Sequence, residues 1–434
     1  MTYKTYNQYI DSDIKWIGAI PSSWKLLKSK FIFNRINNQS TTGNEELLSV
    51  SEYYGVKPKK ETINEGDFLS RSESLVGYKK CSKNDLVMNI MLAWKKGLGV
   101  TNYDGIVSPA YEIFNINLQL AFPRYMNYLL RTDLYASEFK RHSYGVIDSR
   151  LRLYPDNFKE IECILPPIDE QQQIANYLDK QTTKIDATIE KNKELIELLE
   201  EKRVALINQV VTKGLNPNVP MRDSGVEWIG EMPKKWEVTN LKKYFSIHNG
   251  STPKDLEENW GGDICWITPA DYKTTDVYIN HSSRQITKRG LNSCGTTLVP
   301  KGSIIVSNRA PIGTVAIANT DLCTNQGCKS LSIKKDINNK FVYYILSINE
   351  KELNNLGRGT TFMELSSYDL GTFPIPIPSI LEQEKIVEYL DNEILKINKT
   401  LTKIQDNITL LKEYKTSLIY HVVTGKIDVR GEVV

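Results

Sequence analysis

Residues 170–179 read Glu-Gln-Gln-Gln-Ile-Ala-Asn-Tyr-Leu-Asp, and residues 382–391 read Glu-Gln-Glu-Lys-Ile-Val-Glu-Tyr-Leu-Asp. The stretches lie 212 residues apart and share Glu-Gln, a central isoleucine and Tyr-Leu-Asp. The same offset relates Trp16-Ile17-Gly18, Pro21 and Trp24 to Trp228-Ile229-Gly230, Pro233 and Trp236. It also relates Val210-Val211-Thr212 to Val422-Val423-Thr424. Separated blocks in one register mark a tandem duplication, each copy a globular segment followed by a helical one. Between the blocks the copies diverge. Leu75 to Tyr111 and Leu298 to Lys329 share only a loose pattern, so the frame is kept while its contents differ.

The helical segments carry a heptad seam. In the second copy Val387, Leu390, Ile394, Ile397, Leu401, Ile404, Ile408, Leu411, Leu418 and Val422 recur at steps of three and four, with Lys415 as the interruption. In the first copy the matching positions are Ala175, Leu178, Thr182, Ile185, Ile189, Asn192, Ile196, Leu199, Leu206 and Val210, with Arg203 in the place of Lys415. Each helix is expected to run about 40 residues, hence ~60 Å. A lone helix of this kind exposes a long apolar stripe, so the two stripes are expected to pair, antiparallel, as a coiled coil. Asn192 either fixes the register at a cost in stability or sits at a wet edge. Prolines 166 and 167, and 374, 376 and 378, precede the helices, and Gly214 and Gly425 close them.

The 434-residue chain suffices for two or more domains. No apolar run approaches the ~20 residues that span a bilayer, and the polar N-terminus lacks the features of a signal peptide. The six cysteines form no C-x-x-C pair and the four histidines have no metal-ligand spacing. A cytoplasmic protein with free thiols and no metal is expected. The net charge of +3 is unevenly placed: residues 14–168 hold 21 Lys and Arg against 16 Asp and Glu, and residues 226–378 hold 17 against 15, while the helical stretches are slightly acidic. That balance fits polyanion binding and also fits chance.

The globular parts mix short strands (Asp85–Met88, Ser303–Val306, Thr314–Ile317) with short helices (Arg124–Leu130, Lys340–Leu346), which gives an α+β class. Candidate nucleic-acid-contacting residues are cations and amides beside glycines or aromatics. In the first copy these are Arg71, Lys79, Lys80, Lys95, Lys96, Arg141, Arg150 and Arg152; in the second, Arg309, Gln326 and Arg358. Each such cluster also reads as a solvated surface loop. The paired tryptophans read as packing residues, not base-stacking ones.

The duplicated order Trp-Ile-Gly-x-x-Pro-x-x-Trp, prolines, Glu-Gln-x-x-Ile-x-x-Tyr-Leu-Asp and Val-Val-Thr resembles the specificity subunit of Type I restriction–modification enzymes over nearly the whole chain. The linker from Val211 to Gly225, and Val76–Lys80 with Ala93–Lys95 and Tyr103–Pro109, look similar too. The resemblance implies target-recognition domains at 1–168 and 226–378, a spacer helix at 169–213, a linker at 214–225, and a second spacer helix with tail at 379–434. It implies a non-catalytic subunit that reads a bipartite, asymmetric double-stranded DNA target. It would dock two methyltransferase subunits and, through them, restriction subunits. S-adenosylmethionine, ATP and Mg are expected in those partners and no cofactor in this chain. In keeping with this, the sequence holds no Asn/Asp-Pro-Pro-aromatic motif and no glycine-rich cofactor loop of an adenine methyltransferase. A non-catalytic adaptor with two ligand-binding domains on a coiled-coil spacer fits the repeat and the helices equally well.

Overall fold

Neither helical segment has a proline or glycine in its interior, and in the computed structural model both run unbroken, Ile168–Lys213 and Ile380–Val423. The structure describes residues 4–62, 74–273, 277–358 and 363–432. Contacts divide the chain into a first unit, Met1–Asn192 with Gln405–Val434, and a second, Lys193–Ile404. Each long helix therefore contributes its two halves to different units.

Within each unit the start of one long helix packs beside the end of the other, so the pairing is antiparallel. In the first unit Leu178, Ile185, Ile189, Ile408 and Leu418 are buried. In the second, Ile207, Val210 and Val211 share a core with Ile386, Val387 and Leu390, and Ile397 is also buried. The remaining seam residues Ile196, Leu199, Leu206, Ile394, Leu401, Ile404 and Leu411 are half-buried, because a pair of helices leaves its flanks in water. Lys415, which breaks the heptad pattern, crosses to the first helix and binds both oxygens of Asp186 at 2.6 and 2.7 Å. Asn192 is half-buried and its Nδ2 is enclosed without a hydrogen-bond partner. That is the cost expected of a polar residue set in an apolar seam.

The repeated sequence blocks form one joint in each unit. Trp24, 2% exposed, donates its indole N–H to Glu170 at 3.1 Å; Trp236, 3% exposed, donates to Glu382 at 3.1 Å. Gln171 bonds the Phe122 amide and the Pro166 carbonyl, and Gln383 bonds the Asn338 amide and the Pro378 carbonyl. Asp179 accepts from Tyr128 and pairs with Arg124, while Asp391 accepts from Tyr344 and pairs with Lys340. The glycine ending the other helix closes the joint: Gly425, at φ +72°, lies on Pro21 and Trp24, and Gly214, at φ +74°, lies on Trp236. In the first unit the Tyr9 hydroxyl donates to the Gly425 carbonyl and the Asp428 amide to the Lys4 carbonyl, which ties residues 4–9 to 425–428.

On this joint each unit mounts the same set of strands. A hairpin (Tyr9–Asp11 with Ala19–Pro21; Met221–Asp223 with Glu231–Pro233) precedes a two-strand pair (Lys25–Lys28 with Glu162–Leu165; Glu237–Asn240 with Pro374–Ile377). The central antiparallel sheet of the first unit runs Phe33–Ile36, Tyr111–Ile116, Leu86–Asn89, Leu98–Val100. Its counterpart runs Phe245–Asn249, Cys328–Ile333, Ile304–Ser307, Val315–Ala318, with Tyr278–Ile279 added in parallel. Helices Pro123–Leu130 and Asn339–Ser347 follow the sheets in corresponding places. The additions differ: two small ribbons in the first unit, and in the second a sheet ordered Arg284–Ile286, Trp260–Ile267, Leu322–Thr324. The fold is thus α+β with an internal repeat on a paired-helix frame. Among the described residues no helix is long and apolar enough to cross a membrane.

Two stability outcomes follow. A Cβ on Gly425 would stand 2.4 Å from Pro21 Cδ, whereas one on Gly18, at nearly the same φ, meets nothing within 4 Å. Gly18→Ala should cost about 1–2 kcal/mol from backbone strain, and Gly425→Ala a further ~1–3 kcal/mol from overpacking, read as separate shifts in a urea midpoint. Ile397→Asp with Ile404→Asp should cost on the order of 3–5 kcal/mol by placing unpaired charge in the seam; an unchanged midpoint would refute the interface.

Candidate nucleic-acid interface

The central strand of each sheet opens with a buried ionic residue, and the two are of opposite sign. Glu112 pairs in register with Met88, and Lys329 with Val306, so they hold equivalent places. Glu112 accepts from Arg35 at 2.6 and 2.9 Å and from Lys79 at 3.1 Å. Lys329 donates to Asn249 Oδ1 at 2.7 Å and lies 3.7 Å from Glu364. Burial pushes the Lys329 ammonium below the ordinary lysine range, and Glu364 works against that shift. Neither residue stands out in the sequence, because the partners that make it tolerable inside lie 33 to 80 residues away.

Around these pairs the candidate residues separate. Lys79 is 7% exposed, and its ammonium is occupied by Glu112 and by the Tyr111 carbonyl at 2.6 Å, which makes it part of the sheet's interior. Its neighbour Lys80 is exposed and pairs with Glu45 at 2.7 Å. The Lys80 and Ser40 hydrogen bonds hold the Glu45 carboxyl down at about 2. Arg71 falls outside the described residues.

A second group gathers beyond the strand Leu86–Asn89. Lys95 and Lys140 each lie 5.0 Å from the centre of the Trp94 ring. Lys96 pairs with Asp133, and Arg141 grips Glu138 through two nitrogens. Arg150 and Arg152 sit on a hairpin closed by paired bonds between Tyr144 and Arg152, and its base is tied to the sheet by the Leu153 amide on the Ile90 carbonyl. Lys140 joins the two parts by pairing with Asp148 at 2.8 Å.

The second unit has the same layout with other side chains. Arg309 leaves the strand Ile304–Ser307 and pairs with Glu364 at 3.1 Å, where Asn308 Nδ2 also donates at 3.0 Å. In the corresponding place Arg358 and Glu364 exchange backbone bonds, and the Leu365 amide on the Asn308 carbonyl ties them to the strand. Arg358 pairs with Asp369 at 3.0 Å. Gln326 is exposed and accepts the Thr252 hydroxyl. Arg309, Gln326 and Arg358 therefore meet at one end of the sheet, near the Asn308 amide on the Gly327 carbonyl. Each cluster presents exposed guanidinium, ammonium and amide groups of the kinds that contact phosphate and base edges. Among the described residues no group of His, Cys, Asp and Glu could hold a metal ion.

A family model for the Type I restriction modification DNA specificity domain matches residues 21–200 and 233–410. The putative type I restriction enzyme MjaX specificity subunit of Methanocaldococcus jannaschii is 27% identical over 95% of this chain and 96% of its own length. The MjaIX specificity subunit of that organism is 37% identical over 42% of this chain and 44% of its own length. Among solved structures, a chain from a study of complex assembly and conformational transition in the type I R-M system superposes with a TM-score of 0.73, covering 95% of this chain and 99% of that one at 17% identity. The HsdS subunit from Thermoanaerobacter tengcongensis gives 0.58, with 94% and 98% covered at 17% identity. At that identity the two structures speak for the fold.

Adjacent lysines give a test of the burial argument. Lys79→Ala leaves a buried carboxylate with Arg35 alone and should cost about 2–3 kcal/mol, below the 3–5 kcal/mol of a fully orphaned charge. Lys80→Ala should leave the urea midpoint nearly unmoved. Equal destabilisation by the two substitutions would contradict the assignment.

Proposed function

The chain belongs to the family of Type I restriction modification DNA specificity proteins, and from that premise we propose that it reads a split, asymmetric double-stranded DNA target, one half through each unit. The observation that carries this reading is the inversion of buried charge at equivalent sheet positions, Glu112 against Lys329, on frames that share the same tryptophan–glutamate joint. Identical readers would serve a palindrome; readers this different serve two unlike half-sites. Exposed cations at the sheet ends, Lys95, Arg150, Arg309 and Arg358 among them, supply the affinity for phosphate.

The chain itself catalyses no step in this reading. Methyl transfer from S-adenosylmethionine and ATP- and Mg-dependent restriction belong to methyltransferase and restriction subunits docked on it. Leu195, Leu198, Leu395 and Leu410 support such docking: they lie on the long helices outside the seam, 42–61% exposed. Helices that end at their own partner have little use for leucine there.

The decisive experiment is to co-express the chain with its methyltransferase partner and map methylated sites across a genome. Exchanging residues 226–378 for the matching segment of a relative should rewrite one half of the methylated sequence and leave the other unchanged. A single uninterrupted palindrome, or a swap that rewrites both halves, would refute the reading. Binding to the mapped site should also fall steeply between 50 and 200 mM salt, by roughly 10³-fold or more if six or more phosphates are contacted. Salt-independent binding would favour an adaptor for an uncharged ligand.

A further inference from the structure

The hairpin Tyr144–Arg152 carries two apolar residues where a folded chain has no use for them. Val146 is 97% exposed and Ile147 54%, side by side at the tip. The legs beneath them are firmly held. Tyr144 and Arg152 exchange both backbone bonds at 2.9 Å, and the Arg150 amide closes a tight turn on the Ile147 carbonyl at 2.8 Å. A Cβ on Gly145 would stand 2.6 Å from the Arg150 carbonyl, so only glycine lets the legs approach this closely. Below, the Ser143 hydroxyl bonds the Phe139 carbonyl, Asn157 bonds the His142 carbonyl, and Lys140 holds Asp148. A braced base under an exposed aliphatic tip is a preformed protrusion. Its valine and isoleucine are β-branched and have little rotamer freedom to lose on insertion.

The charge around the tip says what it meets. The carboxylates near the hairpin are already paired: Asp148 with Lys140, Glu138 with Arg141 and His142, Asp156 with Lys159. Arg150 is exposed, and among the described residues neither it nor the half-buried Arg152 has a carboxylate partner; the Arg152 guanidinium donates to the Leu151 carbonyl. Lys95 is exposed over the Trp94 ring. An apolar point within a surplus of free cations matches the duplex, whose phosphates flank an apolar stack of bases. Proteins that push aliphatic side chains between base steps unstack and kink the helix in this way.

We propose that this hairpin is a DNA wedge: Val146 and Ile147 enter a base step of the half-site met by the first unit, while Arg150, Arg152 and Lys95 hold the flanking phosphates. The proposal rests on the DNA reading above and adds a deformation of the target, so that step is selected by how easily it unstacks as well as by base contacts.

The test uses the full chain assembled with its methyltransferase partner, on duplexes of the mapped site carrying 2-aminopurine at successive positions of the first unit's half. Binding should raise the fluorescence several-fold at one step. Val146→Ser with Ile147→Ser should abolish that rise and weaken binding about tenfold, with an unchanged melting temperature because both side chains are exposed. Arg150→Ala should keep the rise and lower the salt slope by about one. Tight binding with duplex-level fluorescence at every step would overturn the wedge and leave the DNA reading standing. So would a serine variant that keeps the rise but releases the methyltransferase subunit, since the tip would then be a protein contact. Failure to bind any duplex would sink the DNA reading and the wedge with it.

Discussion

Everything in this molecule hangs on a hydrogen bond made twice, from a buried tryptophan indole to the glutamate in the first turn of a long helix. Trp24 and Trp236 are large enough to need burial and polar enough to demand an acceptor. Glu170 and Glu382 supply it at the helix N-terminus, where a carboxylate also suits the helix dipole. Against the same tryptophans lie the glycines that end the other helix, Gly425 and Gly214. One side chain thus fixes where one helix begins and where its partner stops. The antiparallel pairing follows from that geometry as much as from the heptad seam.

The rest of the repeat explains why some residues recur at 212 and others do not. Glutamine and aspartate on the helix reach back to the globular part through bonds that need a particular side-chain length: Gln171 and Gln383 bridge two backbone groups, and Asp179 and Asp391 take a tyrosine hydroxyl and a cation. Replacing either glutamine leaves a buried proline carbonyl unpaired. The sheet positions carry no such obligation to the frame. Glu112 and Lys329 find their partners within their own units, away from the helix joint, so the sign of the charge can change while the strands keep their order.

This division also sets what could be read from the sequence. The helices, their seam, the capping glycines and the α+β class were legible because they depend on spacing along the chain, and strand and helix positions such as Ile304–Ser307 and Pro123–Leu130 came within a residue or two. The ion pairs were not, since Lys79 meets Glu112 and Arg309 meets Glu364 only through tertiary folding. Lys79 and Lys80 look alike in sequence, yet one is interior and the other exposed. Lys415 reads as a flaw in the seam until Asp186, 229 residues earlier, is seen beside it.

The division of the chain into units has a consequence for its synthesis. The second unit is continuous, Lys193–Ile404, whereas the first needs Gln405–Val434 to complete its joint. The contact of Tyr9 with Gly425 spans 416 residues, among the costliest closures the chain can make in entropy. On a ribosome the first unit is therefore completed only after the whole second unit has been translated. Until residue 425 emerges, Trp24 lacks the glycine that covers it and the first half of the long helix at Ile168–Lys213 has no partner for its seam. During that interval the nascent chain exposes an apolar stripe, so a product truncated before residues 405–434 keeps that stripe bare and is prone to aggregate.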